Sequence, residues 1–227
     1  MHYLLLIILL VLLILGPQFW VSRVMARYNR APEKNFPGNG GELARHLLDR
    51  FDLHSVGVEV TEQGDHYDPL SRTVRLTADK HAGQTLTAIT TAAHEVGHAL
   101  QHAADDPLLR WRTRLVRFAN TAQKLGSFLL FAAPLLTLAS RAPSAGMISL
   151  VAAFLMMGMN ILVQLLTLPV ELDASFKKAL PILKSGYLTP HQVKGAEKIL
   201  RAAAFTYLSA SLAGLLNFWR WLQILRR

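Results

Sequence analysis

Long apolar runs dominate the hydrophobic pattern of this chain of 227 residues. A helix needs about 20 mostly apolar residues to cross a bilayer. The run at 3–21 has that length, and the runs at 125–140 and 142–170 contain no charged residue and are separated by a single arginine. The pattern predicts an uncleaved N-terminal membrane anchor over 1–22 and a transmembrane hairpin over 125–170.

A fourth apolar run, 202–219, is a weaker membrane candidate. Upstream of it, Thr189, Pro190 and Gln192 provide an N-cap, a first-turn proline and a capping-box glutamine, so we expect a helix to begin there. An arginine between two tryptophans near the C-terminus is typical of an interfacial ending. The sequence therefore predicts that 202–227 is a membrane-embedded or interfacial helix, giving three to four membrane helices in all.

The basic residues are distributed asymmetrically around these runs. They follow the first run, precede the second and follow the third, whereas the 141–144 connection carries one arginine. Because Lys and Arg favour the cytoplasmic side, we expect the N-terminus and 141–144 outside, and the segments 23–124 and 171–201 in the cytoplasm. The basic residues concerned are Arg23, Arg27, Arg30, Arg110, Arg112, Arg114, Arg117, Lys124, Lys177, Lys178 and Lys184.

The composition agrees with a membrane partner. Hydrophobic residues make up 52% of the chain, and the net charge of +9 comes largely from those flanking residues. The lipid bilayer, with its anionic headgroups, is the expected partner. No basic stretch interleaved with aromatic residues is present, so nucleic acid is not expected as a partner. The absence of cysteine excludes Cys-ligated zinc and thiol catalysis, and the oligomeric state is left open.

The polar segment 23–124 contains shorter patterns. Apolar residues at helical spacing predict a helix over 42–51. Alternating apolar and polar residues at 56–60 and 74–77 predict two strands, joined through 63–69 as a small β-hairpin. The expected fold class is mainly α, with this hairpin beside the next helix.

That next helix, predicted over 85–103 from its alanine-rich sequence, carries the strongest chemical signal. His94, Glu95 and His98 form an H-E-x-x-H pattern, whose two histidines share one helix face and can bind one zinc ion. Glu95 stands where a general base can take a proton from zinc-activated water. Gly97 costs about 1 kcal/mol inside a helix, which predicts a close backbone approach there.

A catalytic zinc site needs a third protein ligand. Ten residues after His94, where some zinc proteases have a third histidine, this chain has Ala104, and His102 lies too far along a straight helix. Glu171 and Asp173 stand at the end of the third apolar run, where an unpaired acid is costly. On a helix, positions i and i+2 point about 200° apart. We therefore expect one acid to bind the metal and the other to face elsewhere or support the site.

Three motifs, taken together and in order, resemble one known family. Asp-His-Tyr-Asp-Pro at 65–69, the H-E-x-x-H segment at 93–102 and Leu-Pro-Val-Glu-Leu-Asp-Ala-Ser at 168–175 are similar to the bacterial YugP-type membrane zinc metallopeptidases. The resemblance covers about 40–207. It implies a zincin-like, gluzincin-type endopeptidase with one zinc ion in the bacterial cytoplasmic membrane. Combined with the charge asymmetry, it implies a multi-pass protein whose active site faces the cytoplasm.

The resemblance also bears on the two acids. The E-x-x-A stretch that begins at Glu171 is similar to the third-ligand segment of HtpX-like membrane peptidases, which implies Glu171 as the ligand. In those relatives an aspartate follows the ligand glutamate by four residues, whereas here Ser175 has that position and the nearby acid is Asp173. Asp173 is left as an alternative ligand or as a partner of a ligand histidine.

The expected function is hydrolysis of peptide bonds in membrane-associated or cytoplasmic proteins. His66, Tyr67 and Tyr207 are candidate donors to the developing oxyanion, although 66–69 is equally typical of a turn. Three alternatives stay open: a site-2-type intramembrane protease, a non-peptidase zinc hydrolase and an inactive membrane scaffold. The polar residues of helix 85–103 disfavour the first, and the intact His-Glu-His set disfavours the last.

Overall fold

The computed structural model describes residues 2–30 and 36–225. Met1, residues 31–35 and residues 226–227, which belong to the predicted segments 1–22, 23–124 and 202–227, lie outside the described residues. Most of the described chain is helical, and two π-helical segments, Asp173–Ala179 and Leu183–Tyr187, interrupt the helices after residue 172. The α-helices are α1 (His2–Asn29), α2 (Gly40–Arg50), α3 (Ala78–His81), α4 (Leu86–Ala103), α5 (Pro107–Ser140), α6 (Pro143–Leu172), α7 (Leu180–Ile182) and α8 (Pro190–Leu225).

Local sequence signals account for two of the helix starts that matter for the site. Thr85 precedes α4, and its Oγ1 accepts a hydrogen bond of 3.1 Å from the backbone N–H of Ala88. At the start of α8, the Gln192 side-chain oxygen accepts from the backbone N–H of Thr189 at 2.9 Å. The helices predicted to begin at these two points are therefore confirmed.

The sheet differs from the predicted hairpin. Its three strands, β1 (Gly57–Val60), β2 (His66–Asp68) and β3 (Thr73–Leu76), have the order β1-β3-β2. The prediction of a hairpin between the two alternating segments is wrong, because β1 pairs with β3 in parallel and β2 pairs with β3 antiparallel. The physical reason is that the linker contains a strand of its own. The short connection after β2 places β2 antiparallel to β3 on one side, and β1 pairs with the other side of β3.

The chain divides into two compact units, the first comprising Met1–Leu109 and Pro169–Thr206. In this unit α2 and the sheet pack on α4, and the chain order of helix, strands and H-E-x-x-H helix is the predicted one. The π-helical segment Asp173–Ala179 packs on α4 as well. The interior is aliphatic, and its most deeply buried members include Leu47, Leu48, Val74, Leu76, Val96, Leu183, Ile199 and Leu200.

The second unit comprises Arg110–Leu168 and Tyr207–Arg227. Within it α5 and α6 form a helical hairpin, closely packed where Gly126 faces the backbone of Ala153. Large apolar side chains on α5 point outward, with Phe131 82% and Leu138 78% exposed. Apolar surfaces of this extent are typical of membrane or protein interfaces.

Among the described residues, Pro107–Ser140 is the one helix that is long and apolar enough to cross a membrane by length and composition. The sequence predicts three to four membrane helices, and those other than Pro107–Ser140 stay a prediction. For residues 208–225 the structure describes the helical backbone of α8 and not the side chains. A spanning or an interfacial helix over 202–227 stays a prediction.

Candidate metal centre

The two histidines of the H-E-x-x-H pattern lie side by side on α4. His94 and His98 are both buried, and their ring centroids are 4.8 Å apart. Glu95 is also buried. The helical spacing of four residues accounts for this arrangement, and the aliphatic core behind α4 holds the helix in place.

A carboxylate from a distant part of the chain joins the two rings. The Glu171 Oε2 atom lies 3.1 Å from His94 Nε2 and 3.3 Å from His98 Nε2. Glu171 stands near the C-terminal end of α6, directly before the π-helical segment that packs on α4. Its side chain is 1% exposed. The structure therefore brings His94, His98 and Glu171 into one buried group whose ligand atoms all lie within 4.8 Å of one another.

The electrostatics of Glu171 favour the charged form. Burial by itself penalises the carboxylate, but the charge of His98 and the hydrogen bonds from His94 and His98 hold the pKa of Glu171 well below its usual range. An ionised carboxylate is the form that binds a metal.

The geometry of the three residues fits a zinc ion. Nitrogen and oxygen ligands lie about 2.0–2.1 Å from zinc, so two neighbouring ligands in a tetrahedral site are about 3.3–3.4 Å apart. The two separations between Glu171 Oε2 and the histidine Nε2 atoms, 3.1 and 3.3 Å, are close to that value. Two histidines and a glutamate are also the protein ligands of one well-known class of catalytic zinc site, which leaves a fourth position open.

The Nδ1 atom of each histidine ring contacts a further side chain, one from the π-helical segment and one from α4. Ser175 Oγ lies 3.1 Å from His94 Nδ1, and the Gln101 side-chain oxygen lies 2.9 Å from His98 Nδ1. Asp173 lies one step further out, where its Oδ2 accepts a 2.8 Å hydrogen bond from the Gln101 amide. Metal-binding histidines are usually held in this way through the nitrogen that does not face the metal.

Comparison with known proteins identifies the family. A family model described as "Putative neutral zinc metallopeptidase" matches residues 3–226. The chain belongs to this family. It is 33% identical over 226 residues to the "Putative membrane protease YugP" of Bacillus subtilis (strain 168), and the match covers 96% of each of the two chains. No solved structure matches. The YugP-type resemblance drawn from the three motifs is confirmed, and family membership implies that the metal is zinc.

The other residues predicted for the site, His66, Tyr67 and Tyr207, do not belong to the group of His94, His98 and Glu171. On β2, His66 Nδ1 contacts the Gly64 carbonyl oxygen at 2.8 Å, and the Tyr67 hydroxyl contacts His102 Nδ1 at 2.8 Å. The contact between Tyr67 and His102 joins the sheet to α4 one turn beyond His98. Tyr207 belongs to the second unit, where it lines a cavity of about 170 Å³. Their role as oxyanion donors stays a prediction.

Gln101 and Ser175 are two site residues that were not predicted from the sequence, where Ser175 is only a departure from the HtpX-like pattern. Both are almost completely buried polar residues. A signal existed for each, because Gln101 follows His98 by three residues and Ser175 follows Glu171 by four, spacings that share a helix face. The sequence could not show that these faces meet, since Ser175 and His94 are 81 positions apart.

Proposed function

We propose that this protein is a membrane-bound zinc endopeptidase that hydrolyses peptide bonds of membrane-associated or cytoplasmic proteins. The observation that carries the proposal is the buried group of His94, His98 and Glu171 with Glu95 beside it on the same helix. Family membership supports zinc as the metal and peptide hydrolysis as the reaction.

In this proposal His94 and His98, through their Nε2 atoms, and Glu171, through its carboxylate, would hold one zinc ion. When bound, zinc lowers the pKa of its water and polarises the scissile carbonyl. Glu95 takes a proton from the attacking water on its carboxylate and delivers it to the leaving amine nitrogen. Glu95 has this role because it adjoins the first histidine without belonging to the ligand group.

The sheet supports a polypeptide as the substrate. Among the described strands β2 is an edge strand, and it approaches α4 through the contact between Tyr67 and His102. An extended peptide can add to such an edge by backbone hydrogen bonds, which bind any sequence, while pockets for alternate side chains give specificity. We propose that the substrate lies along β2 with its scissile bond toward His98.

We further propose a multi-pass protein of the bacterial cytoplasmic membrane whose active site faces the cytoplasm. The exposed apolar side chains of α5 support contact with the bilayer, and the relative from Bacillus subtilis is named a membrane protease. The concentration of arginine on the N-terminal half of α5 supports the cytoplasmic orientation.

The experiment that tests the proposal compares the purified full-length protein in detergent with its Glu95→Gln variant. We expect the wild-type protein to contain one zinc per chain and to cleave casein or a single-pass membrane protein. The Glu95→Gln variant should keep its zinc and lose hydrolysis, because the amide cannot accept the proton from water.

Glu62→Gln is the matched control, because Glu62 is exposed in the loop after β1, and this variant should retain full activity. Full activity of Glu95→Gln would overturn the assigned role of Glu95. Zinc-free, inactive wild-type protein would overturn the proposed function itself.

A further inference from the structure

Gln101 occupies an unusual position for an uncharged polar side chain. It lies on α4 one turn beyond His98 and is 1% exposed. Its amide group contacts three partners. The side-chain oxygen lies 2.9 Å from His98 Nδ1, and Nε2 lies 3.0 Å from the Val170 carbonyl oxygen and 2.8 Å from Asp173 Oδ2.

The chemistry of these partners fixes the orientation of the amide. The Val170 carbonyl oxygen can only accept a hydrogen bond, and Asp173 Oδ2 accepts one from the amide as well. The Gln101 NH₂ group must face both of them, because only that end of the amide donates. The amide oxygen is left for His98, so His98 Nδ1 must be the protonated nitrogen that donates to it.

The tautomer of His98 follows from this orientation. A proton held on Nδ1 makes Nε2, the atom that lies 3.3 Å from Glu171 Oε2, the nitrogen whose lone pair would bind a metal in place of its hydrogen bond to Glu171. Ser175 cannot have the same effect on His94, because a hydroxyl group can either donate or accept. The two histidines therefore differ in how their tautomers are set. The Gln101 oxygen requires a proton on Nδ1 of His98, whereas the Ser175 hydroxyl makes no such requirement of His94.

We propose that Gln101 is a positioning residue that holds His98 in its metal-binding tautomer and transmits the effect of Asp173 to that histidine. The inference rests on the proposed function only in requiring that zinc binds to the group. It gives Asp173 a role that does not involve the metal directly. Gln101 also couples the two segments that carry the ligands. It bonds to Val170 and Asp173, on either side of Glu171, and to the ligand His98 on α4.

Zinc affinity, measured on the full-length protein in detergent by competition with a chelator, tests the proposal. Gln101→Met keeps the shape of the side chain but cannot accept from His98 or donate to Asp173. We expect it to weaken zinc binding about 10–100-fold, the range typical for loss of a hydrogen-bond partner of a metal-bound histidine. Gln63→Met, at an exposed loop position, is the matched control and should bind zinc like the wild type.

Two substitutions of Asp173 separate transmission through Gln101 from direct metal binding. Asp173→Ala removes the acceptor and should weaken zinc binding. Asp173→Asn keeps a carbonyl oxygen facing the Gln101 amide and should restore affinity to within about threefold of the wild type, well inside the loss expected for a missing partner. The absorption bands of the Co²⁺-loaded protein, which report ligand geometry, should change in Gln101→Met and Asp173→Ala and not in Asp173→Asn.

A double-mutant cycle completes the test, because residues that act through one network have non-additive effects. In the Gln101→Met background, Asp173→Ala should cause little additional loss of zinc affinity. Equal losses from Asp173→Ala in both backgrounds, or wild-type affinity in Gln101→Met, would overturn the inference while leaving the proposed function intact. If Gln101→Met does not fold, the comparison of Asp173→Ala with Asp173→Asn decides, and equally weak binding by both overturns the inference.

Discussion

Glu171 holds a carboxylate at 1% exposure between two imidazole rings. A carboxylate removed from water loses hydration worth several kcal/mol unless a cation or hydrogen bonds replace it. At this site the Nε2 atoms of His94 and His98 are the nearby partners, and a zinc ion bound between the three side chains would provide the same compensation. Glu171 is therefore the side chain whose removal we expect to affect the metal centre most.

We predict that Glu171→Ala loses zinc binding by more than the roughly 10–100-fold that follows loss of an outer hydrogen-bond partner. The reason is that a three-ligand site loses its only anionic ligand. Metal analysis after dialysis measures the effect, with Glu62→Ala as the exposed control. Normal zinc content in Glu171→Ala, together with loss in Asp173→Ala, would assign the third ligand to Asp173 instead.

The contact between α4 and the π-helical segment Asp173–Ala179 is the element-scale feature that assembles the group. A methyl group built at Gly97 would lie 2.8 Å from the Ala174 carbonyl oxygen. The close backbone approach predicted at Gly97 is therefore confirmed. This approach brings two side chains against His94, Glu171 from the end of α6 at Nε2 and Ser175 from the π-helical segment at Nδ1.

We predict that Gly97→Ala destabilises the protein and weakens zinc binding, although alanine is the better helix former. Overpacking costs about 1–3 kcal/mol, which exceeds the roughly 1 kcal/mol gained in helix propensity, and the two ligand segments are pushed apart. Thermal unfolding and chelator competition measure both effects. Gly16→Ala is the matched control, because nothing lies within 4 Å of a methyl group at Gly16 in α1. A higher Tm for Gly97→Ala would contradict the steric argument.

At the scale of the whole molecule, the two units differ in what they expose. The first unit buries an aliphatic core around α4, whereas the second exposes large apolar side chains along α5. The described metal group belongs to the first unit.

The orientation of the chain can be tested by cysteine labelling, because the native protein has no cysteine. We predict that Ala78→Cys, exposed on α3, is labelled only after the cytoplasmic side becomes accessible. Ser144→Cys, exposed at the start of α6, should be labelled from outside intact cells by a membrane-impermeant maleimide. Labelling of Ala78→Cys alone from the external face would invert the proposed topology.

Features specified by neighbouring residues could be predicted from the sequence. The α4 helix, the shared face of His94 and His98, and the start of α8 at the Thr189–Gln192 cap all depend on spacings of three or four residues. Such spacings have the same meaning in every helix, because helix geometry is fixed by the backbone. The sequence also restricted the third ligand to two acids, since few charged side chains stand at the ends of apolar runs.

The tertiary structure decided which distant segments meet. Strand alternation shows which side chains share a face but not which strand pairs with which or in which direction, and the parallel pairing of β1 with β3 was missed for that reason. Glu171 and His98 are 73 positions apart, and the contact between them depends on how the end of α6 packs against α4. The same packing directs the Gln101 amide toward Asp173 and His98, because hydrogen-bond orientation is set by partners that only the folded chain brings together.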